Sequence, residues 1–597
     1  MTSFHHRIGR GSVFGGALVV LVHLLCYSAV GQNVLPGAEK IQGILIVPGK
    51  PGATNAEDLI SNVNGQGVSG IHGVVVRGPD FLRGADFQST LAKFLGNPLT
   101  TGPNGTLADM QRDIIRYCRA KGHLVVDVFY PEQDVIENTI QIVVIEGKIG
   151  KIRVDNPGHK WFSDSVILRN VSLKPGDTIT SDALNRDLSW LNRNSYQSLG
   201  FDGFSAPFRD VTASFTQGDL GETDLSLNVQ DRFPLRPYVG YDDAGFQVIG
   251  EDQFFAGVNW GNVFGLDHRL NFQFTSDTDF NKFKSYAGSY TIPLPWRHEI
   301  VFFGAYADLH PDLSQLNNPG FGRLNNDGTA WQTSVRYVVP LPRIGTNFDH
   351  TVSAGFDFKN TDSPLFYNVA NLQLLRNNID VAQFTLDYSG QLRDKYGATA
   401  FAIGGVYSPG GMTDRNSDEA FNEFSVGAKA QYEYGRGEVR RETLLPGRFT
   451  LFNRVAGQYS GQKLIPSETL GIGGFATVRG YNERVVNGDG GVVITTELRT
   501  PAIVLSNITG KENARDWIMG LVFLDYGNAY TVDTAAGFRD DYNLVSVGGG
   551  FRFEVADNIR VRFDYGYQLK RDYASSPSAS LESQPHSRMH LGAELSF

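Results

Sequence analysis

The chain has 597 residues, a formal charge of -10 and 2 Cys, and it is rich in Gly (68), Phe (40) and Tyr (24). The acidic balance argues against a general nucleic-acid binder, so nucleic acid is not expected among its partners. Cys26 lies in an N-terminal targeting segment, which leaves Cys118 alone and excludes an internal disulfide; stability has to come from extensive burial or closed sheets.

Residues 1–31 read as a signal peptide. His5, His6, Arg7 and Arg10 give a partly basic start, an apolar run follows from Val13 to Cys26, and Ser28-Ala29-Val30-Gly31 suits a signal peptidase, with the cut expected after Gly31. The run is shorter than the roughly 18–20 apolar residues of a spanning helix. A lipoprotein site at Cys26 is the competing reading, and Leu25 before it is a poor fit to one. No later stretch is long enough for a membrane helix. Residues 32–69, rich in Gly, Pro and Asn with one apolar strip at Ile41–Val47, read as a linker with a short helix near Ala56–Val63.

Residues 70–148 alternate short strands and helices. Ile71–Arg77 reads as a strand. Asp86–Leu95 carries Phe87, Leu91 and Phe94 at helical spacing and ends at Gly96, where a C-cap belongs. Thr106-x-x-Asp109 resembles a capping box that opens a helix with the stripe Leu107, Met110, Ile114 and Cys118. Strands are expected at Leu124–Tyr130 and Thr139–Ile145. Residues 149–232 repeat this order, with a strand at Lys151–Val154, helices from about Ser163 and from Thr180 or Ser181, and strands at Asp210–Thr216 and Asp224–Gln230. The repeat predicts two α+β modules, each a sheet covered on one face by two helices.

From residue 233 to 597 the helical period gives way to alternation. Leu270, Phe272 and Phe274 interleave with Asn271, Gln273 and Thr275, and Trp331, Thr333, Val335, Tyr337 and Val339 with Gln332, Ser334 and Arg336. Ile559, Val561, Phe563, Tyr565 and Tyr567 oppose Arg560, Arg562, Asp564, Gly566 and Gln568. A soluble sandwich shares this period, but its extent predicts an all-β transmembrane barrel of 16 antiparallel strands, with about 23 residues for each strand and its turn. Outer-membrane lipid is then a partner of the outer face. Met589, Leu591, Ala593 and Leu595 alternate up to Phe597, a terminal aromatic that resembles the signal read by the barrel-assembly machinery.

Two motifs carry a family resemblance. Gly471-Ile-Gly-Gly-Phe-Ala-Thr-Val478-Arg479-Gly480-Tyr481 contains the VRGY tetrad of the outer-membrane protein-translocation and assembly superfamily, and Phe523-Leu-Asp525-Tyr-Gly527 resembles its F-x-D-x-G strand motif. The two modules resemble polypeptide-transport-associated (POTRA) domains. In the first, Tyr117, Gly122, Pro131-Glu-Gln133-Asp134 and Glu146-Gly147 follow the family cadence; in the second, Pro175-Gly176, Leu191-Asn192 and Gly221-Glu-Thr-Asp224-Leu225 do. Two modules before a barrel is the layout of the two-partner secretion (TpsB) branch. Across residues 70–597 the resemblance implies two periplasmic POTRA domains and an outer-membrane barrel that passes a secreted partner, an adhesin- or haemolysin-like exoprotein in extended form. It also implies a VRGY loop folded into the lumen, with Arg479 near Asp525, where a planar guanidinium can grip a carboxylate with two parallel bonds. Read from the residues alone, Arg479 is a solvated loop arginine. Thr139–Ile145 and Asp224–Gln230 are the candidate sheet edges for adding a client strand.

The chain departs from the branch at two points. Residues 32–69 hold no long amphipathic helix of the kind that plugs the barrel in many members, and Asp242-Asp243-Ala244-Gly245 matches the family's first-strand motif only approximately. Other signals are weaker. Gly471-Ile-Gly473-Gly-Phe-Ala476 has no surrounding βαβ unit for a dinucleotide, and His586 and His590 lack a third metal ligand. There is no G-x-S-x-G elbow or P-loop, so neither a cofactor nor enzymatic catalysis is expected. Cys118, on an apolar stripe, reads as core. The rival functions are a barrel-assembly insertase, which usually carries more modules, and a diffusion porin, which has no use for the modules or the loop.

Overall fold

The computed structural model describes residues 40–49 and 70–597, apart from 132, 134, 198–204, 219–221, 247–248, 312–323, 326, 346, 363–364, 368–371, 376–377, 506–515, 534–539, 556–557 and 572–584. The expected signal peptide and the helix near Ala56–Val63 lie outside the described residues. Two compact units result: one built from the residues up to Arg193 together with Arg209–Arg232, the other from Asn194–Phe208 and Phe233–Phe597.

The first module begins earlier than the sequence pattern suggests. The strip Ile41–Val47, assigned above to a linker, forms strand β1 (Gly43–Pro48), parallel to both β2 (Gly73–Val76) and β4 (Thr139–Glu146). Its apolar run is continuous because both faces are covered. Ile44 and Ile46 join the helix-side core, while Leu45 packs with Ile71 on the other face. Gly43 is required by close approach, since a Cβ there would stand 2.4 Å from Thr139 Oγ1 and 2.5 Å from the Ile71 carbonyl oxygen. Helices α1 (Ala85–Ala92) and α2 (Thr106–Ala120) bury Phe87, Leu91, Met110, Ile114 and Cys118 in that core. The capping box does not form. Gly105 is the N-cap and Thr106 the first helical residue, because its hydroxyl instead accepts from Thr100 N at 2.8 Å and fixes the preceding loop. The sheet ends in β3 (Val126–Phe129), giving the order β2-β1-β4-β3.

The second module holds β5 (Lys148–Asp155), α3 (Asp164–Arg169), α4 (Ser181–Leu191), β6 (Arg209–Gln217) and β7 (Glu222–Asp231). Ser163 and Thr180 cap the two helices by accepting from Val166 N and Ala183 N. The central strand is β7, parallel to β5 and antiparallel to β6. Both sheet edges proposed from sequence are therefore corrected. Thr139–Glu146 is enclosed between β1 and β3, and Glu222–Asp231 between β5 and β6. Each is an inner strand of its sheet, and the edges are β2, β3, β5 and β6.

The rest is a closed barrel of 16 antiparallel strands, from Leu235–Asp242 to Ser587–Ser596, with the two-residue piece Ile503–Val504 extending the strand Gly490–Arg499. The alternation read from sequence separates lipid face from lumen. Tyr565 and Tyr567 are exposed outward, whereas Arg560, Arg562, Asp564 and Gln568 are buried inward. Met589, Leu591 and Leu595 face outward on the closing strand, and the exposed Phe597 is tied by its N–H to the Pro237 carbonyl at 3.0 Å. Turns at one end are short, such as Lys395–Tyr396, and the connections at the other end include residues 460–489.

Burial pushes the Cys118 thiol up to about 12, with the Glu146 charge adding to the shift. A thiol that stays protonated does not alkylate. In the folded protein Cys118 is therefore expected to resist maleimide at pH 8 and to label fully in urea; rapid labelling without denaturant would contradict the packing described.

Candidate functional site inside the barrel

Residues 460–489 connect the strands Thr450–Tyr459 and Gly490–Arg499 and fold inward on a small hairpin, Leu470–Ile472 against Val486–Gly488. Ile472, Val478, Tyr481 and Val486 are buried against Val493, Ala529, Tyr542 and Leu544 of the inner wall. Gly473 and Gly474 take left-handed backbones (φ 103° and 101°) that turn the hairpin. The glycine run thus serves a tight turn within a β-hairpin.

Arg479 is 2% exposed and carries the site. Its Nε and Nη2 donate to Asp525 Oδ2 and Oδ1 at 2.8 and 2.9 Å, and its backbone N–H donates to Oδ2 at 3.1 Å. Nη1 donates to Glu497 Oε1 at 2.7 Å and lies 3.6 Å from Asp564 Oδ1. The guanidinium stacks 3.5 Å above the Phe523 ring, a cation–π contact. The carboxylates are balanced in turn. Arg499 grips Glu497 and reaches Glu442, while Arg552 and Arg562 donate to Asp564 at 2.8 Å. Four arginines and four acids form one buried network that joins the loop to five strands of the wall.

The rest of the tetrad is placed as tightly. Gly480 has φ 90°, and a Cβ on it would meet the Gly566 backbone at 2.8 Å. Its N–H donates to His590 Nε2 at 3.0 Å and its carbonyl accepts from Gln568 Nε2 at 2.6 Å. Because His590 Nε2 accepts, its proton sits on Nδ1, 3.0 Å from Asp243 Oδ2. The Tyr481 hydroxyl accepts from Val545 N at 3.1 Å and faces the carbonyls of Val545 and Lys570 at 2.7 and 2.5 Å, filling a register shift in the wall. Val478 packs on Gly527, where a Cβ would come within 2.7 Å of its Cγ2. Sequence reasoning brought Arg479 and Asp525 together but missed Glu497, Asp564, His590 and Asp243. Inward parity was the available signal for the first three. His586 and His590 do not converge, since His586 contacts Arg571 and His590 contacts Asp243.

The residues singled out in the first module lie outside this network. Pro131 is buried, and Gln133 closes the sheet beyond the end of β3: its Nε2 donates to the Gln141 carbonyl at 2.9 Å and its Oε1 accepts from Gln141 N at 2.7 Å. Glu146 pairs with His123, and Gly147 N donates to the Val125 carbonyl at 3.0 Å. Asn192 repeats the amide clip in the second module, on the backbone of Val211.

Comparison with known proteins gives a consistent picture. Residues 221–553 match the model of the haemolysin secretion/activation protein ShlB/FhaC/HecB family, and residues 147–232 match the POTRA surface-antigen repeat. The heme/hemopexin transporter protein HuxB of Haemophilus influenzae is 22% identical over 473 residues, covering 76% of each chain. The outer membrane transporter CdiB-2 of Burkholderia pseudomallei is 22% identical over 495 residues, covering 80% of this chain and 75% of that one. The solved structure of CdiB from Escherichia coli superposes with a TM-score of 0.68 at 14% identity, over 97% of this chain and 93% of that one; CdiB from Acinetobacter baumannii gives 0.58 at 16%, over 100% and 94%.

Arg479→Ala leaves Asp525 buried without the two guanidinium bonds and the countercharge Arg479 supplies, a loss of about 3–5 kcal/mol at the buried limit. Limited proteolysis of the purified protein is expected to cut within residues 460–489 in Arg479→Ala and Gly480→Val and to spare the parent. Arg479→Lys should remain sensitive, because an ammonium cannot reproduce the two-pronged grip. A resistant Arg479→Ala would show that hairpin packing alone holds the loop.

Proposed function

This chain belongs to the ShlB/FhaC/HecB family of haemolysin secretion/activation proteins, outer-membrane transporters with POTRA domains in the periplasm that secrete a partner protein, and we propose that it exports one dedicated β-rich exoprotein, of adhesin or haemolysin type, in extended form through its barrel. The observation that carries this reading is the loop 460–489, packed against the inner wall by Arg479, Gly480 and Tyr481. A segment so placed occupies the path a client would take and has to leave it. The wall behind it is lined by paired charges that water can solvate once it leaves, which suits passage of a polar backbone.

Client capture falls to an edge strand of the modules. Edge β6 is the best placed. Asn192 occupies the outward backbone groups of Val211, and by the two-residue period of a strand those of Ala213 and Phe215 also point away from β7. An extended client adds there as a further strand, with backbone bonds that impose no strict sequence. Folding of the client outside the cell makes passage one-way without nucleotide. The exposed aromatic Phe597 acts earlier, as the signal for the barrel-assembly machinery.

The first test compares the secreted fraction of cells with the protein, without it, and with Arg479→Ala at equal outer-membrane level. Loss of one large exoprotein in both altered strains supports the reading; an unchanged secretome with several outer-membrane barrels depleted replaces it with barrel assembly. For the edge, Ala213→Pro removes an outward donor while sparing the β6–β7 ladder. It is expected to lower secretion several-fold at unchanged protein level, whereas full secretion would move capture to another edge.

A further inference from the structure

The loop grips the closing strand through a side chain that can change its charge. His590 is fully buried, and both of its ring nitrogens are committed. The Gly480 N–H donates to Nε2 at 3.0 Å, and Nδ1 lies 3.0 Å from Asp243 Oδ2. A backbone N–H only donates, so the bond from Gly480 exists only while Nε2 carries no proton. A second proton on the ring would set one N–H against another at hydrogen-bond distance. Gly480 has nowhere to turn: its carbonyl is held by Gln568, and its backbone is pressed against Gly566. The clash is relieved only when the loop and the ring part.

Charged groups surround the ring from every side. Asp243, just past the first strand, accepts from the Leu591 N–H at 3.1 Å and faces Arg588 at 3.5 Å. Arg588, on the same strand as His590, also donates to Glu251 at 3.0 Å and to Asn482 of the loop at 2.7 Å. On the neighbouring strand Ile559–Arg571, Asp564 stands opposite His590 and is matched by Arg552 and Arg562. The loop adds the Glu483 carboxylate, which accepts from Phe475 N. It also sets the Phe475 ring edge-on to the imidazole, with centroids 6.1 Å apart. Asp243 and Asp564 thus already face arginines. The docked loop accepts only the neutral imidazole, whereas withdrawal frees Nε2 to take a proton. Protons therefore favour the withdrawn state: docking is at full strength above the ordinary imidazole range, about pH 6.5, and weakens as pH falls through it.

We propose that His590 is a proton-sensitive latch for the loop 460–489: its neutral ring holds Gly480 on the closing strand, and its protonation releases the loop from the wall. The latch rests on the role given to the loop above, as the segment that has to leave the client's path. The test follows hydrogen–deuterium exchange of peptides covering residues 470–489 in the full-length protein in nanodiscs. It runs from about pH 8 to about pH 5, the range in which an imidazole changes charge, with each rate divided by the intrinsic rate at that pH. One linked proton is expected to lower protection by up to about tenfold per pH unit below about pH 6.5. His590→Gln keeps an acceptor at the Nε2 position that takes no proton, and its protection is expected to stay level. Asp243→Asn removes the carboxylate beside Nδ1 and is expected to move the midpoint to lower pH; it carries the test if His590→Gln is unprotected throughout. Heat-modifiable migration checks that each variant is folded. Level protection in the parent, or a pH response that survives in docked His590→Gln, would overturn the latch. A response that disappears instead in Glu483→Gln would overturn it in favour of that carboxylate. Exchange reports docking without secretion, so a failed latch leaves the transport reading standing, and an unchanged secretome removes that reading whatever the pH response.

Discussion

A strand crossing hydrocarbon can place its backbone hydrogen bonds only on its neighbours, so the sheet has to close on itself. Here closure rests on a short ladder. The first and last strands pair only from Tyr238 to Asp242 against Gly592 to Ser596, while the strands Phe348–Asp362 and Asn378–Asp394 pair along the full length of the former. Side chains supplement the seam on its lumen side. Arg236 donates to Glu594 at 2.5 Å with both groups buried, and Asp243 accepts from Leu591 N at 3.1 Å and pairs with His590. Below the ladder, the Phe597 N–H reaches the Pro237 carbonyl. The inner wall therefore contributes to holding the barrel shut as well as lining it.

Buried ion pairs are poor sources of stability, because desolvation offsets most of the Coulomb gain and an apolar core of equal volume often does better. Their value in this lumen is of another kind. An apolar plug fixed to an apolar wall would leave greasy surfaces behind when it moved. A charged one would leave groups that remain matched on the wall: Glu497 would keep Arg499, and Asp564 would keep Arg552 and Arg562. Asp525 differs, taking three hydrogen bonds from Arg479 and its backbone. The network holds the loop in one place by geometry, and the Arg479–Asp525 contact is the one most dependent on the loop being there.

Legibility in the sequence followed locality. The strand Ile559–Arg571 could be read because alternation is a property of the strand itself, and α2 because its stripe repeats within fifteen residues. Strand β1 could not, since burial on both faces erases the period and leaves a short apolar run among glycines and prolines. Sheet edges were misread because edge status depends on pairing, which the pattern within one strand does not record: Gly73–Val76 is apolar and an edge, Glu222–Asp231 largely polar and central. The partners of Arg479 and Gly480 were hidden by separation. Asp525 was reached only through motif resemblance, while His590, 110 residues from Gly480, needed the register of the closing strand.

The tetrad and the seam are one mechanical system. Arg479 binds side chains on the strands Gly490–Arg499 and Trp517–Tyr530. Tyr481 bridges the strands Asp541–Val555 and Ile559–Arg571 at their register shift. Gly480 donates to His590 on the closing strand, and His590 passes the connection to Asp243, just past the end of the first. Three successive residues thus tie together five consecutive strands and the residue beyond the seam. Withdrawal of the loop would remove the bonds made by Arg479, Gly480 and Tyr481 together, and the one from Gly480 falls on the closing strand beside the short ladder. Where the closing ladder is this short, the Gly480–His590–Asp243 chain is the point at which the loop bears on the seam.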